Sequence, residues 1–72
     1  MPIAPFNKRF AMKLTAARVA ARYETAADMA RALEIDVYRY RAWERGQNEP
    51  SLEMLKKLCE KTGQDANFFI MH

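Results

Sequence analysis

The chain predicts an all-α fold, a compact bundle of five short helices. Three observations carry this. Apolar residues recur every three to four positions along most of the 72 residues, the period of a helix buried on one face. Hydroxyl, acidic and glycine residues fall between those stretches, where helix ends need them. No segment alternates apolar and polar residues as a half-buried strand would.

A first helix is expected from about Arg9 to Ala21, with Phe10, Leu14, Ala17 and Ala21 inward. Residues 1–8 hold Pro2 and Pro5 and no period, so they read as an N-terminal arm before a single domain, residues 9–72. Thr25 has the chemistry of an N-cap. Its hydroxyl can accept from amides of the next turn, and Asp28 sits near the positive helix end. The second helix then spans Ala26 to Leu33, with Met29, Ala30 and Leu33 inward. A turn follows, Glu34-Ile35-Asp36, in which Asp36 can cap a third helix. Gly46 ends that helix as a left-handed residue.

Residues 47–50, Gln-Asn-Glu-Pro, form a loop. Ser51 caps a fourth helix, Leu52 to Thr62, whose expected inward stripe is Leu52, Leu55, Leu58, Cys59 and Thr62. Gly63 stops it. Asp65 caps a last short helix through Phe68, Phe69 and Ile70. Met12, Met29, Met54 and Met71 are expected as core filler, and Cys59 as a small buried hydrophobe. Lys56, Lys57 and Lys61 are expected on a solvated face.

Composition excludes several functions. Half of the residues are hydrophobic and 29% are charged, as in a soluble, ordered domain. No apolar run approaches the ~20 residues that span a bilayer, so no membrane partner is expected. The N-terminal MPIAPFNKRF lacks the apolar core of a secretion signal. The one cysteine cannot form an intramolecular disulfide, and a cytoplasmic location fits both facts. The one histidine, His72, is terminal. Without a metal-ligand cluster, a glycine-rich phosphate loop or a Ser/His/Asp set, no enzyme, cofactor or metal is expected. Net charge is +3 and unevenly spread. Residues 1–22 carry five bases and no acid, whereas residues 23–72 carry seven bases and nine acids. Attraction to a polyanion must therefore come from local placement and the N-terminal third.

Ile35 to Gly46 is the stretch with the most functional information. At about 100° per residue, Tyr40 and Trp43 point one way. Tyr38, Ala42 and Arg45 point the other, flanked by Arg39 and Arg41. One face suits a core, and the other suits a phosphate-lined groove. A merely solvated polar face is the alternative.

The residues from about 9 to 71 resemble the Cro and phage-repressor (Xre-type) helix-turn-helix domains. The similarity rests on ETAADMARALEIDVYRYRAWERGQNEPSLEMLKKLCEKTGQDANFFI. Ala30 is the small residue of the second helix, and Met29, Leu33, Ile35, Tyr40 and Trp43 are its apolar framework. Trp43-Glu44-Arg45-Gly46 is the aromatic-Glu-x-Gly ending, followed by Pro50-Ser51-Leu52. Gly63 and a short aromatic-apolar helix close the pattern. The resemblance implies a lambda-repressor-like bundle that binds double-stranded DNA as a transcriptional regulator, most often a repressor, bacterial or phage-encoded. Three positions depart from the pattern. Ala26 stands where a glutamine commonly contacts phosphate. Glu34 stands where glycine commonly makes the turn, at roughly 1 kcal/mol if left-handed. Tyr40 is larger than the usual aliphatic residue.

Given that resemblance, Val37, Tyr38 and Ala42 are the expected base-reading residues. Thr25, Arg39, Arg41, Arg45, Gln47 and Asn48 are expected at phosphates. A protein interface is the alternative for Tyr38. Lys8 and Arg9 could reach DNA from the arm or belong to a frayed tail. In the family the glutamate matching Glu44 pairs with an arginine of the first helix, here Arg18. A bidentate, partly buried structural pair is the expectation, and a solvated Glu44 the alternative. A homodimer on DNA is expected, through Phe68, Phe69, Ile70 and Met71 with the end of the fourth helix. A short helix cannot bury all four of these consecutive large apolar residues in its own bundle, and at least one should be exposed. The rival function is a protein-interaction module on the same fold with weak or lost DNA binding, such as an antitoxin-like protein with a regulatory partner. The net charge of residues 23–72, Ala26 and Glu34 favour that rival.

Overall fold

A computed structural model describes the backbone of residues 5–70 and the side chains of residues 8–70. It holds five helices: α1 (Pro5–Ala20), α2 (Ala26–Leu33), α3 (Val37–Glu44), α4 (Leu52–Thr62) and α5 (Ala66–Ile70). No strand occurs among the described residues. Helix α1 packs against α3, α4 and α5, and α2 packs against α3 and α4. The all-α expectation holds.

The expected N-terminal arm differs. Helix α1 begins at Pro5, so residues 5–8 form its first turn. Proline suits that place, since an amide at a helix start has no partner to lose and its φ is already helical. Residues 1–4 lie outside the described residues.

The core is Phe10, Leu14, Ala17, Met29, Ala30, Leu33, Tyr40, Trp43, Met54, Leu58 and Phe69. The stripe of α4 is corrected in one respect. Met54 is buried, whereas Leu52 is 85% exposed at the first turn. Leu52 follows the cap directly, before the helix has turned its face to the bundle. Met12, expected in the core, is 67% exposed because α1 turns that face away. Met71 lies outside the described residues. Cys59 is half-buried, and burial pushes its thiol up.

The caps explain the boundaries. Thr25 and Asp28 form a reciprocal capping box at α2. Ser51 Oγ accepts from the Met54 amide, and Asp65 Oδ1 accepts from the Phe68 amide. Asp36 occupies the cap position of α3, but its side chain makes no capping bond. At the far ends, three helices close with the same pair of backbone bonds. The amide of Ile35 reaches Ala30 O while that of Glu34 reaches Arg31 O. Tyr23 and Arg22 repeat this on Arg18 and Val19, and Gln47 and Gly46 on Ala42 and Trp43. This closure demands a left-handed residue. Gly46 supplies it at φ 74°, but Arg22 and Glu34 must adopt φ 71° and 60°.

Candidate nucleic-acid interface

Helix α3 is short, and its two faces have different environments. Inward, Tyr40 and Trp43 are 0% and 1% exposed and meet edge to face, ring centres 5.9 Å apart. They anchor α3 to α1 and α2. Outward, Tyr38 is 72% exposed. Arg39, Arg41 and Arg45 are exposed around it, and Ala42 is half-buried among them. Such a face holds one phenol, one small contact point and three cations. A small residue at its middle leaves room for a partner to approach the helix closely.

Two details refine the set. The Arg39 guanidinium carbon lies 5.6 Å from the centre of the Trp43 ring. That cation–π contact orders the arginine on the flank of α3 before any partner arrives. The i, i+4 spacing was the available signal, but only the rotamers show the stack. Val37 packs partly against the core, so only part of its side chain faces outward.

The rest of the expected phosphate set is exposed. Thr25 is exposed, and its Oγ1 accepts from the Asp28 amide at 3.0 Å. Its own hydroxyl proton therefore remains available to an outside acceptor. Gln47 and Asn48 are exposed just after α3. The Gln47 amide closes onto Ala42 O at 2.9 Å. Lys8 and Arg9 are exposed on the first turns of α1, not on a separate arm.

Behind this face lies a polar lock. Arg18 Nε donates to Glu44 Oε2 at 2.7 Å, and the two side chains are 11% and 15% exposed. The same carboxylate oxygen accepts from the Tyr40 phenol at 2.5 Å. The expected bidentate geometry does not form. A terminal guanidinium nitrogen of Arg18 instead donates to the carbonyls of Tyr23 and Glu24, at 2.9 and 2.8 Å. One arginine thus ties α3 to the left-handed end of α1. Burial, then the hydrogen bond to Glu44, pushes the Tyr40 phenol far above its usual range. It stays protonated and keeps donating. Sequence reasoning missed this role for Tyr40, although its i, i+4 spacing to Glu44 was visible.

Residues 14–69 match the family model of the helix-turn-helix (HTH_3) domains. The chain belongs to this helix-turn-helix family. No curated protein and no solved structure matches it. The family is one of DNA-binding regulators of the Cro type. In this helix-turn-helix, α2 and α3 are the paired helices and Glu34 makes the turn between them.

The expected dimer residues separate. Phe69 is 1% exposed and packs on Phe10 and Phe68, with ring centres 5.7 and 5.2 Å away. It is core, not a free contact. Phe68 is half-buried. Ile70 is 44% exposed, and Met71 lies outside the described residues. Ile70 instead joins Leu52, Leu55 and Pro50 around a cleft of about 270 Å³. The apolar patch thus adjoins the start of α4 rather than its end.

Among the described residues no helix is long and apolar enough to cross a membrane, and no group of three potential ligands could hold a metal.

Proposed function

We propose that this protein is a sequence-specific transcriptional repressor that lays α3 in the major groove of double-stranded DNA. The outward face of α3 carries this reading. Tyr38 and Ala42, with part of Val37, meet base edges. Arg39, Arg41 and Arg45 hold phosphates on the groove walls, assisted by Thr25, Gln47 and Asn48. The protein represses by occupying a site. Arg39→Ala and Arg41→Ala should weaken binding to all sequences, each reducing the salt slope by about one unit. Tyr38→Ala should lose about 1–3 kcal/mol of discrimination between selected and random DNA. Equal binding by all three variants would reject the assignment.

Occupancy would use two copies on half-sites about 34 Å apart. The patch of Leu52, Leu55 and Ile70 is the proposed dimer contact. Leu52 and Ile70 are exposed there, and pairing two copies would remove both from water. Leu52→Ser and Ile70→Ser should abolish the two-to-one complex on a palindrome, as read by sedimentation.

A second reading has two observations behind it. Glu34 places an acid at the turn between the two paired helices, and Ala26 offers no side-chain amide to phosphate. A protein-interaction module with lost DNA binding would tolerate both. Salt-dependent retention on DNA separates the readings, since the module would show none.

A further inference from the structure

An open, largely apolar groove of about 790 Å³ runs along α1. Ala11, Met12, Thr15, Ala16, Val19 and Ala20 form its floor, and the end of α3 closes one side. Met12 and Val19 are 67% and 58% exposed, although both are fully apolar. Thr15 turns its hydroxyl onto the Ala11 carbonyl at 3.1 Å, so it adds a methyl rather than a polar group.

The rim carries the complementary information. Lys8 and Arg45 line the groove, and both are exposed. Glu44 lines it too, but its carboxylate is engaged by Arg18 and Tyr40. The rim is therefore cationic in effect. Lys8 belongs to the segment, residues 1–22, that holds five bases and no acid, and Arg45 comes from just past the end of α3. From Lys8 to Ala20 the floor runs about 18 Å, three turns of helix. Small alanines along it permit a close approach of a second backbone. An open trough of this kind would leave much of a small molecule in water, unlike an enclosing ligand pocket.

We propose that the α1 groove is a docking site for an amphipathic helix of another protein, with an apolar stripe and acidic flanks. The stripe covers Met12 and Val19, and the flanking carboxylates meet Lys8 and Arg45. A second copy of this chain is the poorer occupant. Pairing α1 with α1 would set one acid-free cationic segment against another. Arg45 also belongs to the proposed DNA face, so a docked helix and DNA would compete for it. That competition rests on the DNA-binding reading, whereas the docking does not.

The test uses the full chain and a lactam-bridged helical peptide of about 14 residues, slightly longer than the floor. Its leucines lie at i, i+4, i+7 and i+11, with glutamates on both flanks. A twin peptide carries lysine at every glutamate. Fluorescence anisotropy should show saturable binding of the glutamate peptide and at least about tenfold weaker binding of the twin. Met12→Glu and Val19→Glu lie at exposed positions, and circular dichroism would check their fold. Each should weaken the glutamate peptide by about tenfold or more. Lys8→Glu should weaken the glutamate peptide and improve the twin. Absence of binding, equal binding of both peptides, or unchanged binding in folded Met12→Glu and Val19→Glu would overturn the proposal. So would a concentration-dependent dimer of the parent that Val19→Glu abolishes, since the groove would then belong to a second copy. A parent protein that holds the peptide but retains no DNA would end the DNA-binding reading and leave the docking intact.

Discussion

Tyr38 and Tyr40 are two residues apart on one helix and have opposite environments. Tyr40 is fully buried, and its phenol is fixed on Glu44 at 2.5 Å. Tyr38 is 72% exposed. The difference shows how an eight-residue helix can be both anchor and tool. The inner face is overdetermined by an aromatic pair and by the contact of Arg18 with Glu44. The outer face is left to polar and small side chains that contribute little to the bundle. A recognition surface must be presented rigidly but remain unsatisfied until its partner arrives.

The comparison breaks most severely at Glu44. Glu44→Ala strands Arg18 and removes the acceptor of the Tyr40 phenol. Complete burial would make this about 3–5 kcal/mol. With slight exposure of both partners the expected loss is about 2–3 kcal/mol. In a domain this small that lowers the melting midpoint by roughly 10 °C or more. Thermal unfolding by circular dichroism checks it, and an unchanged midpoint would put Glu44 in solvent.

Next come the tyrosines themselves. Tyr40→Phe should cost about 1–2 kcal/mol near neutral pH, for one bond to a carboxylate. Tyr38→Phe should stay within about 0.5 kcal/mol, as surface changes do. The Tyr40 effect has a pH signature. The folded phenol titrates above the unfolded one, so its contribution is complete below about pH 10. Above that the unfolded chain releases its proton and the folded chain holds it. Stability then falls as pH rises, by up to about 1.4 kcal/mol per unit. Melting curves of the parent and Tyr40→Phe should therefore run parallel below about pH 10 and converge between about pH 10 and 11. A constant gap would mean that the phenol is not held protonated by the fold.

The smallest effect lies at the turn. Glu34 is exposed and left-handed at φ 60°. Glu34→Gly should stabilise the fold by up to about 1 kcal/mol, through relief of backbone strain. Denaturant midpoints would register it, and a loss of stability would mean that the glutamate side chain supports the turn. Any gain in DNA affinity beyond the gain in stability would report removal of an acid from the turn.

Much of this molecule was legible from local rules. The starts of α2 and α4 and the ends of α2 to α4 follow from Thr25, Ser51, Glu34, Gly46 and Gly63. Cap chemistry acts over about one turn, so sequence neighbours decide it. The inward sides of α2 and α3 follow from helical period alone. The left-handed Glu34 was expected by resemblance, whereas the equally left-handed Arg22 carried no signal.

Other features depended on distance through space. Leu52 and Met12 have the composition of core residues, yet the bundle turns them outward. Phe69 reads as a free apolar contact until Phe10 is seen against it. The two partners of the ion pair are 26 residues apart, and the shared oxygen with Tyr40 exists only once α1 and α3 have docked. The sequence by itself thus determined the five helices, the starts of α2 and α4, the ends of α2 to α4 and the outward chemistry of α3, because period and capping are short-range. Tertiary structure alone decided which apolar residues stay in water and how Arg18 divides its donors. Both depend on the angle at which helices meet, and that angle is set by the packing of the whole core.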